Sequence, residues 1–280
     1  MTEESTESSK NLSGSALLQG QVVLITGASR GIGAATALLL ARHGAAIGVN
    51  YNQSAERARA VVEAIQVSGG RAIAIRASVD NAQEVGTMVQ QVEQELGPID
   101  TLVLNAIAGS RPAGGTARRE EPRGNWTTNS FLDSTWELYQ NIVMRILAGV
   151  YVPARIVAPL MVERKHGNLI AVSSTLARAP YSGAGAVAAG KAGVEALLKA
   201  LVPELGPHGI RVNVVAPGAV ETEASAPYIQ PRKEAISQAI PLRRVGQPED
   251  IAAAILLLAM PQASYLTGNY LAAGGGNYLP

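Results

Sequence analysis

The chain contains no cysteine. That absence removes a disulfide framework, a thiolate nucleophile and any cysteine-based metal site from consideration. Histidine is nearly as scarce: His43, His166 and His208 are dispersed along 280 residues, and each reads as a surface or loop residue rather than a member of a metal-ligand set. Aromatic residues make up only 4% of the chain, which argues against a platform for stacking bases. Charged residues are 16% with a net charge of +1, so the long basic stripe that neutralises nucleic-acid phosphates is missing. The longest apolar run, I-A-A-A-I-L-L-L-A-M at 251–260, is far shorter than the roughly 20 residues of a bilayer span. It reads as a buried helix. The opening stretch M-T-E-E-S-T-E-S-S-K-N-L-S-G-S lacks the positive start and apolar centre of a secretory signal. Residues 1–19 are therefore expected to form a disordered tail on a cytoplasmic protein, with neither nucleic acid nor membrane as a partner.

What is present is apolar bulk. At 47% hydrophobic residues the chain can bury a sizeable core, and one α/β domain over 20–280 is the simplest organisation. From residue 20 onward, short β-rich runs alternate with longer amphipathic stretches, the pattern of βαβ units on a parallel sheet. Strands are expected at 22–26, 46–50, 72–75, 101–105, 169–173 and 211–215, with a short seventh at 270–272. Helices are expected at 32–43, 55–67, 82–96, 133–164, 185–205 and 249–260. Residues 108–130 break the rhythm with glycines, prolines and five charged side chains from Arg118 to Arg123. A loop of that length after a strand end is either functional, for example a lid, or a solvated insertion.

The first strand runs into T-G-A-S-R-G-I-G, Thr26 to Gly33, and then directly into a helix. Glycines at such a turn let the backbone approach a pyrophosphate, and the helix N-terminus offers free N–H groups and the positive end of its dipole. Strand, turn, helix and the following βαβ unit agree on a dinucleotide site built from Thr26, Gly27, Ser29, Arg30, Gly31, Ile32 and Gly33. The fold is thus expected to be a doubly wound Rossmann domain, seven parallel strands with helices on both faces. An acid at the end of the second strand would hold the ribose diol of NAD, but G-V-N-Y-N-Q-S supplies Tyr51 and no acid. Arg30 stands where it can pair with a 2′-phosphate. NADP(H) is therefore the expected cofactor.

These residues also carry a resemblance. T-G-A-S-R-G-I-G resembles the T-G-x-x-x-G-x-G fingerprint of the short-chain dehydrogenase/reductase family, and D-T-L-V-L-N-A, R-V-N-V-V-A-P-G-A-V-E-T and P-L-R-R-V-G-Q-P-E-D-I-A follow in family order. Within it the chain looks most like the oxoacyl- and enoyl-carrier-protein reductases. The resemblance implies that Asn105 lines the wall near the adenosine ribose. It also implies that Pro217, Gly218, Val220 and Thr222 face the nicotinamide and its pyrophosphate. Two local departures, Leu104 to Ile107 in place of N-N-A-G and Ser78 in place of an aspartate, point to altered packing at the adenine end.

By the same resemblance, four residues do the family's chemistry: an asparagine on the fourth helix, a serine after the fifth strand, and Tyr-x-x-x-Lys on the fifth helix. Lys191 in A-G-K-A-G-V-E-A-L matches the lysine that holds the nicotinamide ribose, and Ser174 matches the serine that holds the substrate oxygen. The tyrosine position is Val187, and the wider spacing of enoyl reductases falls on Ala184. The asparagine position is Ile146. Tyr181, between Ser174 and the helix, is the nearest alternative hydroxyl and enters as a candidate catalytic residue; Arg145 is a weaker one. A positioned general acid is worth about 10² to 10⁴ in rate, so ordinary ketone reduction is expected to be impaired. Three readings follow: a reductase of C=N, conjugated C=C or C=O bonds in a specialised small molecule, a non-redox cyclase or isomerase that uses the nucleotide structurally, and an inactive subunit paired with an active relative. Family members assemble through their fourth and fifth helices, so a homo-oligomer, dimer or tetramer, is expected.

Overall fold

The computed structural model describes residues 16–109 and 130–279. Seven strands, β1 (Val22–Ile25), β2 (Ala46–Tyr51), β3 (Ala72–Arg76), β4 (Thr101–Leu104), β5 (Gly167–Val172), β6 (Ile210–Pro217) and β7 (Tyr270–Ala273), form one sheet in the order β3-β2-β1-β4-β5-β6-β7. Every pairing is parallel. Parallel strands need crossovers, and helices supply them: α1 (Gly31–Arg42), α2 (Ala55–Val67), α3 (Ala82–Glu95), α4 (Trp136–Arg164), α5 (Gly185–Leu205), the short α6 (Ala226–Ile229) and α7 (Lys233–Ala239), and α8 (Pro248–Ala259).

The helices cover both faces, which is why β1, β4 and β5 are buried at every position and read as unbroken apolar runs. One core lies under α3, α4 and α5 and contains Leu24, Met88, Leu102, Ile146, Val187 and Leu198. The other lies under α1, α2 and α8 and contains Ile25, Leu40, Val61, Ile170 and Ile255. From β1 the chain winds outward to β3, crosses back to β4 and winds the other way. The strand order therefore reverses between β1 and β4. A crevice opens beyond their carboxyl ends, where the turn 26–30 and the segment 105–109 face each other.

Some expectations are corrected. Residues 16–19, assigned to the tail, are folded: Leu18 is fully buried and its N–H donates to His43 O at 2.8 Å. A leucine there closes the bottom of the core beside the end of α1; residues 1–15 lie outside the described residues. The helix expected from 133 starts at Trp136, because the Thr135 hydroxyl accepts from Leu138 N at 3.2 Å and caps it, while 131–133 form a separate 3₁₀ turn. α6 and α7 were not anticipated, since 226–239 shows no apolar period. Most of the 108–130 loop lies outside the described residues. α4 is long and apolar enough by composition to cross a membrane, but Ile142, Ile146, Val150, Val157 and Met161 are buried in the core, so it serves as a core helix.

Candidate functional site

The turn after β1 is held by two asparagines and a threonine. Thr26 is fully buried; its hydroxyl donates to Val103 O at 3.2 Å and accepts from Asn105 N at 2.9 Å and Ala106 N at 3.0 Å. The Asn105 amide donates to Thr26 O at 3.0 Å and Gly27 O at 3.1 Å, so its side chain fixes the turn itself. From the other side Asn50 Oδ1 accepts from Gly27 N at 3.1 Å, while Asn50 Nδ2 donates to Ala77 O at 3.0 Å. A Cβ at Gly33 would stand 2.4 Å from Gly27 O, so only glycine lets α1 approach the turn. Gly27 and Gly31 take φ of +65° and +54°, the left-handed region that glycine enters without strain. Arg30 is exposed, and at the N-cap of α1 it makes no side-chain capping hydrogen bond among the described residues. A helix N-terminus left uncapped at a strand switch point is suited to a phosphate. Ser29 and Ile32 are half-buried beside it.

Across the crevice the segment after β6 comes within reach of the same turn. A Cβ at Gly31 would meet Thr222 Cγ2 at 3.4 Å, so the glycine turn and Thr222 are neighbours. Gly218 N donates to Ala273 O at 3.1 Å, and Val220 bridges to Gly246. The Ser225 hydroxyl accepts from Thr222 N and donates to Val220 O, at 2.8 and 2.7 Å, folding the segment back on itself. Arg57 at the start of α2 pairs with Glu223. These residues fit a dinucleotide: an uncapped helix end, a glycine turn in which Gly33 has no room for a Cβ and Gly27 and Gly31 hold left-handed backbone, and a second wall from Pro217 to Thr222.

Lys191 is 8% exposed in an otherwise apolar stretch of α5. Its ammonium donates to Val172 O at 2.7 Å, which uses one of three N–H bonds. Burial pushes its pKa down to about 8, with the Glu195 charge pulling upward. Ser174 is half-buried at the start of the 3₁₀ turn Thr175–Ala177, where its hydroxyl accepts from Leu176 N at 3.2 Å. Ser173 beside it donates to Glu195 Oε1 at 2.7 Å, and Arg178 Nε donates to Glu195 Oε2 at 2.9 Å.

With this geometry in view, the comparisons with known proteins are informative. The family model described as enoyl-(acyl carrier protein) reductase matches residues 27–277. The chain is 38% identical to a 3-oxoacyl-[acyl-carrier-protein] reductase of Synechocystis sp. over 260 residues, covering 92% of this chain and 97% of the relative. It is 35% identical to an L-rhamnose 1-dehydrogenase (NAD(P)(+)) of Sphingomonas sp., covering 94% and 98%. A short-chain type dehydrogenase/reductase from Mycobacterium marinum superposes with a TM-score of 0.82 at 33% identity, covering 94% of this chain and 97% of that one. The chain belongs to the short-chain dehydrogenase/reductase family.

In this short-chain dehydrogenase/reductase, Val187 lies one helical turn before Lys191 and is 9% exposed, and Ile146 on α4 is 1% exposed. Both belong to the core under α4 and α5. A Cβ at Gly190 would stand 2.8 Å from Ile146 Cδ1, so Ile146 packs directly against the backbone of α5. Tyr181 is not drawn in with Ser174 and Lys191: it is 58% exposed, on the turn before α5. Arg145 is turned to the β4 end, where Nε donates to Ala108 O at 2.6 Å. Ser78 bonds Asp80 Oδ1 at 2.6 Å, so a carboxylate stands two residues beyond that position. Asn50, Ser225 and Glu195 were missed from sequence. For Asn50 a signal existed, a lone amide in the apolar run of β2.

Proposed function

We propose that this chain is an NADP(H)-binding reductase that delivers hydride to a C=N, conjugated C=C or C=O bond of a small specialised metabolite without a tyrosine acid at position 187. The observation that carries this reading is the pairing of an intact nucleotide cradle and a buried Lys191 with aliphatic side chains at Val187 and Ile146. Keeping a buried cation is costly to a fold, and such groups cluster at functional sites.

The nucleotide, when bound, supplies the hydride. The chain's own residues do the rest. The α1 N-terminus and the turn Thr26 to Gly33 seat the pyrophosphate, and Pro217 to Thr222 form the opposite wall. Arg30, exposed at the head of α1, offers a cation to a 2′-phosphate, and no acid at the end of β2 repels one. The name of the Sphingomonas relative covers both nicotinamide cofactors, so the preference for NADP(H) rests on these local charges. Lys191 holds a ribose with N–H bonds not given to Val172. Ser174 orients the substrate's polar atom, while Val187 and Ile146 exclude water beneath it. Hydride addition to an iminium ion gives a neutral amine with no alkoxide to protonate, and the enolate formed from an enone can take its proton from water.

The exposed side chains Trp136, Met144 and Tyr151 recur on one face of α4, and we assign that face to a homo-oligomer contact, to be checked by light scattering of the purified protein. The function itself is tested by following NADPH absorbance with cyclic imines, enones and ketones. Oxidation with an imine or enone supports the reading, and NADPH bound but never oxidised across the panel overturns it. Turnover that persists with NADP⁺ in place of NADPH assigns the non-redox alternative.

A further inference from the structure

Glu195 sits one turn beyond Lys191 on α5 and is named by nothing in the nucleotide cradle. Its side chain is 11% exposed, yet each carboxylate oxygen has a donor: Ser173 Oγ at 2.7 Å on one and Arg178 Nε at 2.9 Å on the other. Arg178 also lies over the Tyr270 ring, with Cζ 3.5 Å from its centroid, and bonds the Tyr278 side chain. Tyr270 and Tyr278 meet edge to face at 6.0 Å. One carboxylate thus joins the end of β5, the β5–α5 turn, β7 and the C-terminal segment. Three neighbouring groups respond to it. Burial lowers Lys191 to about 8, and the Glu195 charge opposes that. Burial works against the Arg178 cation, but the bonds to Glu195 and Tyr278 outweigh it and leave it raised. Burial lifts Tyr270 to about 12, and the Glu195 charge adds to the rise.

We propose that Glu195 is a positioning residue for the nucleotide site: one helical turn from Lys191, its carboxylate ties α5 through Ser173 and Arg178 to the turn that carries Ser174 and Tyr181, and sets a negative charge beside the Lys191 stem. The proposal rests on reading the site as nucleotide-binding. The pairing is economical for a buried charge, because an ion with two charge-assisted or hydroxyl donors is held far better than an isolated one. Titratable groups near α5 include Arg178 and Tyr181 on the turn, Tyr270 on β7, Tyr278 beyond it, and Tyr139 and Arg145 on α4. Of the charged ones, Arg178 is committed to Glu195, and Arg145 donates to Ala108 O. Glu195 stands one helical turn from Lys191 on the same face of α5, and its charge opposes the effect of burial on that lysine.

The test is the titration of Lys191 by carbon NMR in lysine-labelled full-length protein, its signal assigned with Lys191→Met. The same titration is run in Glu195→Gln and Glu195→Asp. Glu195→Gln is expected to move the Lys191 midpoint to lower pH by roughly half a unit or more, while Glu195→Asp, which keeps the charge, stays closer to wild type. Tryptic cleavage after Arg178 is expected to quicken in Glu195→Gln as the turn is released. An unchanged midpoint in Glu195→Gln, or an equal shift in Glu195→Asp, overturns the proposal. NADPH fluorescence titrations on the same samples then separate the two claims. A lowered midpoint with alkaline loss of NADPH affinity supports both, whereas wild-type protein that never binds NADPH overturns the nucleotide reading and with it the assigned purpose of Glu195.

Discussion

Replacing Lys191 by methionine separates what the lysine costs the fold from what it does. Methionine retains an unbranched stem of similar length and removes the charge. In wild type, burial lowers the lysine from 10.5 to about 8. At neutral pH the folded protein therefore holds this cation less favourably than water does, by about 3 kcal/mol at about 1.4 kcal/mol per pKa unit. Against that stands the lost bond from the ammonium to Val172 O, worth about 1.5–3 kcal/mol because its donor is charged. Lys191→Met is thus expected to be at least as stable as wild type at neutral pH, by up to about 2 kcal/mol. The pH dependence follows from the sign of the shift. Because the folded pKa lies below the unfolded one, the unfolded chain binds more protons between pH 8 and 10.5, and wild-type stability rises with pH across that window. The advantage of methionine is therefore full below pH 8 and gone above 10.5. Urea unfolding of both proteins at neutral pH and near the top of that window measures it. NADPH titration should show at least about a tenfold weaker complex, near 1.4 kcal/mol. A variant that is less stable than wild type at neutral pH, or a stability difference that does not shrink with pH, would refute the reasoning.

Val187→Tyr alone should gain less than about tenfold in ketone reduction, because Ile146 still leaves an aliphatic group where a relay is needed; a large gain in steady-state rate would sink the claim that both positions matter. Arg30→Ala should weaken NADPH by about tenfold while leaving NADH within about twofold, as read by fluorescence titration, and equal losses for the two nucleotides would remove Arg30 from cofactor choice. Gly190→Ala should cost about 1–3 kcal/mol in urea unfolding, since the new Cβ would stand 2.8 Å from Ile146 Cδ1; a neutral result would show that α4 and α5 separate easily.

Much of the fold was readable because buried parallel strands announce themselves as apolar runs between glycine turns, and α2 and α5 fall where their period put them. β5 was harder. It begins at Gly167 and Asn168, whose glycine and amide hide a strand start behind the signature of a turn. The short helices α6 and α7 carry no apolar stripe, because 226–239 packs little against the core. In the site, the glycine turn, Ser174 and Lys191 were legible as motifs. What was not legible is how they are braced. Ser173 meets Glu195 across 22 positions and Asn50 meets Ala77 across 27, and contacts at such separations leave no local pattern. Tyr181 stands out by its place in the sequence, and that place carries no information about its 58% exposure.

The bracing of the glycine turn has a consequence for recognition. With Gly27 N already given to Asn50, and the carbonyls of Thr26 and Gly27 given to Asn105, the first half of the turn is fixed before an anion arrives, and the N–H groups at the head of α1 are held in place by it. It is a mould rather than a glove. Ordering entropy is settled during folding and not on association, so such a seat distinguishes anions by shape, and a lone small anion at the helix end gains nothing from the rest of the wall at Pro217 to Val220.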